Sequence, residues 1–259
     1  MRSGLGAAVN SWPGKIPTFW WLLRARRLRA YPRHWMIERS ESAAARKAWG
    51  TIPRAEVATI IPTYRRPQQL LAAVESALAQ TVTDQVVVVV DDGAGLPRLP
   101  DHPRLFSHSL GVNCGAAGVV RNVGIRATDS RYLAFLDDDN IWRPEHLAVA
   151  LEPLRADEAD LVYTALARQR HDGSEVDVMS VPFSRQAMKR QGFTDTNTIV
   201  VRRGRGVRFD KVRRRHGEFP SEDWSLVNRL SRRLRVKHLP AVTVDYLVHD
   251  DSFYTNWQS

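Results

Sequence analysis

A run of five valines at 86–90 is the feature that most constrains how this chain of 259 residues folds. Branching at Cβ stiffens each side chain and favours an extended strand. Because no polar residue interrupts the run, both faces of the strand are predicted to be covered, as in the centre of a parallel sheet. The run ends in Asp91 and Asp92, followed by Gly93, so carboxylates follow a buried strand.

Strands and helices alternate around this run, in the order that predicts a right-handed, mostly parallel sheet flanked by helices. A long stretch rich in Pro and Gly, from 93 to about 111, is predicted to be a loop. The predicted elements are strand 57–61, helix 68–80, strand 86–90, helix 115–127, strand 132–136, a helix from Pro144, and strand 160–164.

The second half has a weaker pattern. A strand is predicted at 196–201, and alternating apolar residues predict a last strand at 242–248. Ser221 opens a predicted helix that runs to about 233. Between them, residues 202–215 are strongly basic and lack periodicity, which predicts a mobile loop.

Three consecutive aspartates, Asp137, Asp138 and Asp139, directly follow the apolar run 132–136. Like charges at the end of a buried strand are costly unless something neutralises them. The carboxyl ends of strands are where α/β sheets bind ligands, and hard carboxylate oxygens suit Mg²⁺ or Mn²⁺ carried on a phosphate. The alternative is a solvated acidic turn that ends at Asn140.

Composition excludes several classes of protein. The single cysteine, Cys114, excludes an intrachain disulfide framework and a cysteine-rich zinc site. No apolar run reaches the length of a membrane span, and the N-terminus lacks the apolar core of a signal peptide. A cytoplasmic protein is therefore expected.

Residues 1–50 form a basic, Trp-rich N-terminal extension with ten Lys or Arg and two Glu. Aromatic residues beside arginines are typical of a segment that lies peripherally on an anionic membrane. In the other interpretation, Trp20, Trp21 and Trp35 pack against the rest of the protein, and the irregular apolar spacing favours this one. No nucleic acid partner is expected, because no recognised binding module accompanies the charge.

Five motifs in order resemble those of the family 2 glycosyltransferases, which have the GT-A fold. They cover roughly 57 to 250 and are TIIPTYRRP at 59–67, VDDG at 90–93, GVVRNVGI at 118–125, FLDDDNIW at 135–142 and SEDW at 221–224. The resemblance implies one GT-A domain at 51–259, with a donor-binding half at about 57–165 and an acceptor-binding half at about 166–259.

The resemblance also implies that a sugar is moved, with inversion, from a nucleoside diphosphate donor to a hydroxyl acceptor. Among such donors, the resemblance favours a UDP-sugar. Asp139 is implied to hold Mn²⁺ or Mg²⁺, and His249 to be a further metal ligand. The implied donor nucleotide-binding residues are Pro62, Thr63, Tyr64, Arg66, Asp92, Arg121, Asp137 and Asp138, with Asp92 on the base and Asp138 on the ribose.

An inverting displacement needs a general base to deprotonate the acceptor. The resemblance implies Asp223 in this role, with Glu222 as the alternative. A purely structural role is open too, because acids in the first turn of a helix that starts at Ser221 are stabilised by the helix dipole.

Other functions remain as alternatives. A nucleotidyltransferase also binds nucleotide and Mg²⁺ on an α/β sheet, although the loop at 62–67 has no glycine to hold a triphosphate. A non-catalytic homologue that binds nucleotide-sugar or membrane is the other alternative. A phosphatase of the haloacid dehalogenase type is disfavoured, because its nucleophilic Asp follows the first strand. Eight Lys or Arg at 202–215 suggest an anionic or lipid-linked acceptor.

Overall fold

The computed structural model describes residues 16–170, 172–212 and 222–248, and in the first helix it describes side chains at Ala25, Arg29 and from Tyr31 onward. One sheet contains all the strands of this part of the chain. The strands are β1 (Val57–Thr63), β2 (Gln85–Asp91), β3 (Leu105–Ser109), β4 (Tyr132–Phe135), β5 (Asn140–Trp142), β6 (Leu161–Gln169), β7 (Glu175–Met179), β8 (Ile199–Arg202) and β9 (Val236–Leu247).

Helices cover both faces of this sheet. They are α1 (Ile16–Trp49), α2 (Pro67–Leu78), α3 (Ala117–Ala127), α4 (His146–Arg155), α5 (Arg185–Met188) and α6 (Glu222–Leu230), with a 3-10 turn at Thr196–Thr198. The expected α/β architecture is therefore confirmed.

The strand order is β3-β2-β1-β4-β8-β6-β9-β5, and β7 pairs with β6. Strands β3, β2, β1 and β4 are mutually parallel, whereas β8 runs antiparallel to both β4 and β6. The chain adds β2 and β3 on one side of β1, then returns through α3 to place β4 on the other side. This reversal creates a switch point between β1 and β4, where open α/β sheets bind ligands at the carboxyl ends of the strands.

The valine run is central in the way its composition predicts. Every residue of β2 is buried. Val88 and Val90 belong to a core that includes residues of α1, α3 and α6, whereas Val87 and Val89 belong to a core with α2 and α4. Alternate valines thus pack on opposite faces of the sheet, because successive side chains of a strand point to opposite sides.

Several elements were not predicted, among them α1, β3, β5, β7 and α5. Strand β3 lies inside the stretch that was expected to be a loop, and β7 and α5 follow β6. Every residue of β3 is only partly buried. Its sequence, Leu-Phe-Ser-His-Ser, therefore lacks the apolar character that identifies the inner strands. The helix expected from Pro144 begins two residues later, at His146.

The described part of the basic segment 202–215 is a loop after β8, as predicted, but it is packed against the core instead of lying loose on the surface. Val207, Phe209 and Val212 are buried, and the ring of Phe209 packs edge-on against Phe135 with centroids 4.9 Å apart. The side-chain amide of Asn122 accepts a hydrogen bond from the Phe209 N–H (2.8 Å) and donates one to its carbonyl (3.0 Å). Arginines outnumber the apolar residues in this segment, so its packing could not be predicted from the sequence. Residues 213–215 lie outside the described residues.

The N-terminal extension contains one long helix, α1, with Pro32 inside it. The expectation that Trp35 packs against the rest of the protein is wrong, because Trp35 is 49% exposed. Among the side chains of α1 that the structure describes, the buried ones are His34, Ile37, Glu38, Ser42 and Ala45. The side chains of Trp20 and Trp21 lie outside the described residues. Among the residues that the structure describes, no helix is long and apolar enough to cross a membrane.

Gly118 sets the closest approach between α3 and the segment 203–212. A Cβ at this position would lie 2.2 Å from the backbone oxygen of Asp210. We expect Gly118→Ala to lower the free energy of unfolding by about 1–3 kcal/mol, because the packed backbone must move aside. Urea denaturation measures this. In the control, Gly204→Ala, the Cβ meets nothing within 4 Å, and equal stability of the two variants would contradict the packing described for this segment.

Candidate active site

The candidate site lies at the switch point between β1 and β4. Thr63 is the last residue of β1, and the three aspartates follow β4 after one further residue, Leu136. The Thr63 hydroxyl donates a 2.7 Å hydrogen bond to Asp138 Oδ2, which joins the two strand ends across the crevice. The sequence therefore places its aspartates at the expected edge of the sheet.

Arg66 neutralises part of the aspartate loop. Its Nη1 donates to Asp138 Oδ1 (3.1 Å) and also contacts Asp139 Oδ2. Burial nevertheless raises the pKa of Asp138 to about 6, although Thr63 and Arg66 act in the opposite direction. The second oxygen of Asp139 accepts a hydrogen bond from the Asn140 side chain (2.8 Å). Asp138 is buried, whereas Asp139 is partly exposed, so Asp139 is the more accessible of the two.

Arg121 joins the aspartate loop to α6. It projects from α3 and is only 6% exposed. Its Nη1 donates to Glu222 Oε2 (2.6 Å) and its Nη2 contacts Asp137 Oδ1. Burial disfavours its charge, but the carboxylates of Asp137 and Glu222 outweigh burial and raise the pKa of Arg121 above its ordinary value. The sequence-predicted Asp137, Arg121 and Glu222 are thus brought together by one guanidinium.

Asn197 supports the same loop from the other half of the sheet and was not predicted as a site residue. Its side-chain oxygen accepts the backbone N–H of Asp137 (2.6 Å), and its Nδ2 donates to Asp195 Oδ1 (2.6 Å). Its backbone oxygen accepts the indole N–H of Trp142 (2.8 Å). Asn197 is fully buried. The signal for it was the polar cluster Asp195-Thr196-Asn197-Thr198 next to an apolar strand, where buried polar groups need partners.

Asp195 is a second residue that the sequence did not single out. Burial, together with the nearby Asp223 and Asp137, raises the pKa of Asp195 to about 8. This carboxyl is therefore protonated at neutral pH. Strongly perturbed pKa values of this kind cluster at functional sites.

Asp92 lies at the end of β2 in a dense turn. Its carboxylate accepts the backbone N–H groups of Cys114 (2.8 Å) and Gly115 (2.8 Å) and the side-chain amide of Asn113 (3.2 Å). Asp91 instead caps the turn that follows β2, accepting from the N–H groups at 94 and 95. Burial and the adjacent Asp92 raise the pKa of the Cys114 thiol to about 12, as expected for an inert cysteine.

The other predicted donor residues surround the end of β1. Pro62 is buried within β1, whereas Tyr64 is 40% exposed. The Arg65 guanidinium lies 5.0 Å from the centre of the Tyr64 ring. Arg65 has a φ of 57°, a left-handed conformation that turns the chain sharply between Tyr64 and Arg66. Tyr64 therefore leaves an exposed aromatic ring directly after β1, the strand whose last residue binds Asp138.

Glu222 and Asp223 open α6, and Asp223 is buried. Asp223 Oδ1 accepts the N–H of Trp224 (2.7 Å), while Glu222 accepts the N–H of Gly118 (3.3 Å) in addition to Arg121. The predicted N-cap Ser221 and the predicted metal ligand His249 lie outside the described residues. The described residues therefore leave both the catalytic and the helix-capping interpretation of Asp223 in place.

The donor set suits a divalent ion that is shared with a substrate. Within the described ranges, no three His, Cys, Asp or Glu side chains lie close enough to hold a metal by themselves. Mg²⁺ is commonly bound by one or two carboxylates together with substrate phosphates. Asp139, partly exposed beside the buried Asp138 of raised pKa, has the hard oxygen and the access that such binding needs.

The family model described as "Glycosyl transferase family 2" matches residues 58–215. The chain belongs to this family. The match includes β1, the aspartate loop and Arg121, so the resemblance stated from the motifs is confirmed.

Curated relatives agree with this membership. The succinoglycan biosynthesis proteins ExoW and ExoO of Rhizobium meliloti are 31% and 37% identical over 43% and 40% of this chain. The matches span only 38% and 30% of the lengths of those two proteins. The UDP-Glc:alpha-D-GlcNAc-diphosphoundecaprenol beta-1,3-glucosyltransferase WfaP of Escherichia coli is 25% identical over 77% of this chain and 80% of its own length.

Solved structures show the same fold. TarS 1-349 of S. aureus in complex with UDP-GlcNAc aligns with a TM-score of 0.57 at 16% identity, over 79% of this chain and 62% of TarS 1-349. The mannosyltransferase PcManGT of Pyrobaculum calidifontis, in complex with GDP-Man and Mn2+, aligns with a TM-score of 0.56 at 16% identity, over 90% of this chain and 70% of its own. The fold of this chain is GT-A.

The raised pKa of Asp195 predicts how stability depends on pH. The ordinary pKa of an Asp carboxyl, 3.8, applies to the unfolded chain, whereas burial raises the pKa of Asp195 in the folded chain to about 8. The contribution of Asp195 to stability is therefore complete below about pH 4 and is lost as pH rises to about 8.

We expect Asp195→Asn, which keeps an acceptor oxygen for Asn197, to gain stability relative to the unmodified chain over this range. The gain should be on the order of a few kcal/mol at pH 8. Urea denaturation at pH 4, 6 and 8 measures the difference, with Asp101→Asn at an exposed position as the control. A difference that stays flat with pH would show that Asp195 is ionised in the folded protein.

Proposed function

We propose that this chain is a metal-dependent, inverting glycosyltransferase that moves a sugar from a nucleoside diphosphate donor to a hydroxyl acceptor. The observation that carries the proposal is the Arg121 bridge. It holds the aspartate loop after β4 and the acids of α6 around one crevice. Membership in glycosyl transferase family 2 supports the reaction class and disfavours the nucleotidyltransferase alternative.

The donor nucleotide is proposed to lie over the ends of β1 and β2. Tyr64, which is 40% exposed, is proposed to contact the base, and Asp138 is proposed to accept a hydrogen bond from a ribose hydroxyl. The carboxylate of Asp92 already accepts four hydrogen bonds, from the side-chain amide of Asn113, the N–H and the thiol of Cys114 and the N–H of Gly115. The N–H of a base is therefore proposed to displace the thiol, which is a weak donor. A UDP-sugar is favoured, because WfaP is named for UDP-Glc and TarS is solved with UDP-GlcNAc.

Asp139 is proposed to hold Mn²⁺ or Mg²⁺ together with the donor diphosphate. When bound, such an ion neutralises the charge that develops on the leaving diphosphate. Arg66 contacts Asp138 and Asp139 at the same point and is itself partly exposed. It is therefore proposed to contact the diphosphate as well. His249 is proposed as a further metal ligand. The support is that β9, the strand that precedes it in the sequence, pairs with β5 directly after the aspartate loop, where Asn140 lies opposite Tyr246.

The acceptor is proposed to lose its proton to Asp223. The acceptor oxygen then forms a bond to the anomeric carbon, while the bond from that carbon to the diphosphate oxygen breaks on the opposite face and the nucleoside diphosphate leaves. Glu222 is the weaker candidate, because its carboxylate is held by Arg121 and by the Gly118 N–H.

The acceptor itself stays a prediction. Of the cations that suggested an anionic or lipid-linked acceptor, Arg202 pairs with Asp157 (3.0 Å) and Lys211 with Glu38 (2.7 Å). This argument now depends mainly on the arginines at 213–215, which lie outside the described residues. The division into donor-binding and acceptor-binding halves is likewise a proposal.

Asp139→Ala should abolish transfer while leaving the fold intact. Loss of the metal-binding carboxylate should reduce nucleotide release from UDP-sugars by at least about a hundredfold. The measurement is a panel of donors with and without Mn²⁺ or Mg²⁺, with Asp101→Ala as an exposed-acid control. A folded Asp139→Ala variant with near-normal turnover would refute the metal assignment.

Asp223→Asn should separate donor binding from chemistry. A missing general base typically reduces the rate by about 10²–10⁴-fold, whereas UDP affinity measured by calorimetry should stay within about threefold. Glu222→Gln is the matched variant and should retain more activity. If Asp223→Asn instead preserves activity and lowers the melting temperature, the acid is a helix-capping residue. Metal-dependent UDP binding by the unmodified chain, with neither transfer nor hydrolysis, would favour the non-catalytic homologue.

A further inference from the structure

Helix α1 contains acids and bases, but it separates them between two faces. Its acids, Glu38 and Glu41, both turn toward the rest of the protein. Glu38 accepts hydrogen bonds from the side chains of Asn122 (2.7 Å) and Lys211 (2.7 Å). Glu41 contacts the ring of His108 (2.9 Å). Both negative charges of this helix are therefore used internally.

The opposite face of α1 carries only positive charge. Arg29, Arg33, Arg39 and Lys47 are all exposed. Their spacing puts Arg29, Arg33 and Lys47 along one side of the helix, with Arg39 at its margin. Between 29 and 49 the sequence contains no acid except the two that face inward. An uninterrupted cationic surface remains.

Two large apolar side chains lie on or beside this cationic surface. Trp35 is 49% exposed and Met36 is 58% exposed. The guanidinium of Arg39 lies 4.8 Å from the centre of the Trp35 ring. A soluble polyanion requires cations but gives no reason to expose Met36. Helices that lie in a bilayer interface combine both features, with cations at the headgroups and apolar side chains at the acyl boundary.

Helix α1 is long, and basic and aromatic residues occur along most of it. Its 34 residues span about 51 Å at the α-helical rise. Before Arg29 the sequence holds Phe-Trp-Trp-Leu-Leu at 19–23 and three further arginines. The exposed residues described above are therefore continuous along one helix with a second aromatic and basic segment.

We propose that the outward face of α1, formed by Arg29, Arg33, Trp35, Met36, Arg39 and Lys47, binds the surface of an anionic phospholipid bilayer. Lipid phosphates and anionic headgroups pair with the cations, and Trp35 and Met36 enter the boundary below them. This surface is separate from the candidate active site, so membrane binding and sugar transfer can fail independently.

The test is co-sedimentation of the full chain with vesicles of phosphatidylcholine containing about one-third phosphatidylglycerol, compared with pure phosphatidylcholine. We expect binding to the anionic vesicles only, and weaker binding as salt increases. Charge reversal in Arg29→Glu/Arg33→Glu/Arg39→Glu should weaken it by at least about a hundredfold. The matched control reverses three exposed arginines elsewhere, Arg54→Glu/Arg98→Glu/Arg190→Glu, and should bind within a few-fold of the unmodified chain.

A second pair of variants tests the apolar contribution. Trp35→Ala/Met36→Ala should weaken vesicle binding by about tenfold, because interfacial binding scales with buried apolar area. Its control, Val176→Ala/Val178→Ala, removes exposed apolar residues from β7 and should change nothing. All four proteins should share one urea midpoint, because the altered side chains are exposed.

Three results would overturn the proposal. The first is vesicle binding that survives the charge reversal on α1 unchanged. The second is equal binding to anionic and neutral vesicles. The third is binding to heparin without binding to anionic vesicles, which would identify a soluble polyanion as the partner. Nucleotide release, measured in parallel without vesicles, reports on the proposed transferase activity independently of all three.

Discussion

The buried guanidinium of Arg121 is the contact on which the arrangement of the site depends. It connects three elements that are far apart in sequence: α3, the loop after β4 and the first turn of α6. A buried charge without its partners is strongly destabilising. Asp137 and Glu222 are therefore held close together, because the buried guanidinium of Arg121 needs both carboxylates as partners. This constraint places acids from both halves of the chain around one crevice.

The same crevice holds more carboxylates than Arg66 and Arg121 can neutralise. Burial, with smaller contributions from the neighbouring acids, raises the pKa of Asp138 to about 6 and that of Asp195 to about 8. An arrangement of this kind costs stability, and proteins keep such costs where function requires them. A divalent ion arriving with a diphosphate would relieve part of the repulsion around Asp139. The excess of acids in the crevice would therefore favour binding of the proposed metal.

The sequence predicted the parts of the fold that bury a continuous apolar surface. The valines of β2 and the run before the aspartates fall in β2 and β4 as predicted, because their composition admits few other environments. Strand β3 was not predicted, because it is only partly buried and lacks a continuous apolar run. Of the site, the aspartate loop and Arg121 follow from motifs. Asn197 does not, because its role arises only when the antiparallel strand β8 pairs with β4 and brings the turn before it to Asp137.

Helix α3 links the two surfaces of the molecule that are proposed to bind ligands. Its neighbouring residues Arg121 and Asn122 point in different directions. Arg121 reaches into the site, whereas Asn122 donates to Glu38 of α1 and binds the backbone of Phe209. Packed helices have axes about 8–10 Å apart, so the axis of α1 lies about that distance from the axis of α3. Helix α3 in turn borders the site through Arg121. If α1 binds a bilayer, the crevice is held at a fixed height above it, which suits an acceptor that is itself carried in the membrane.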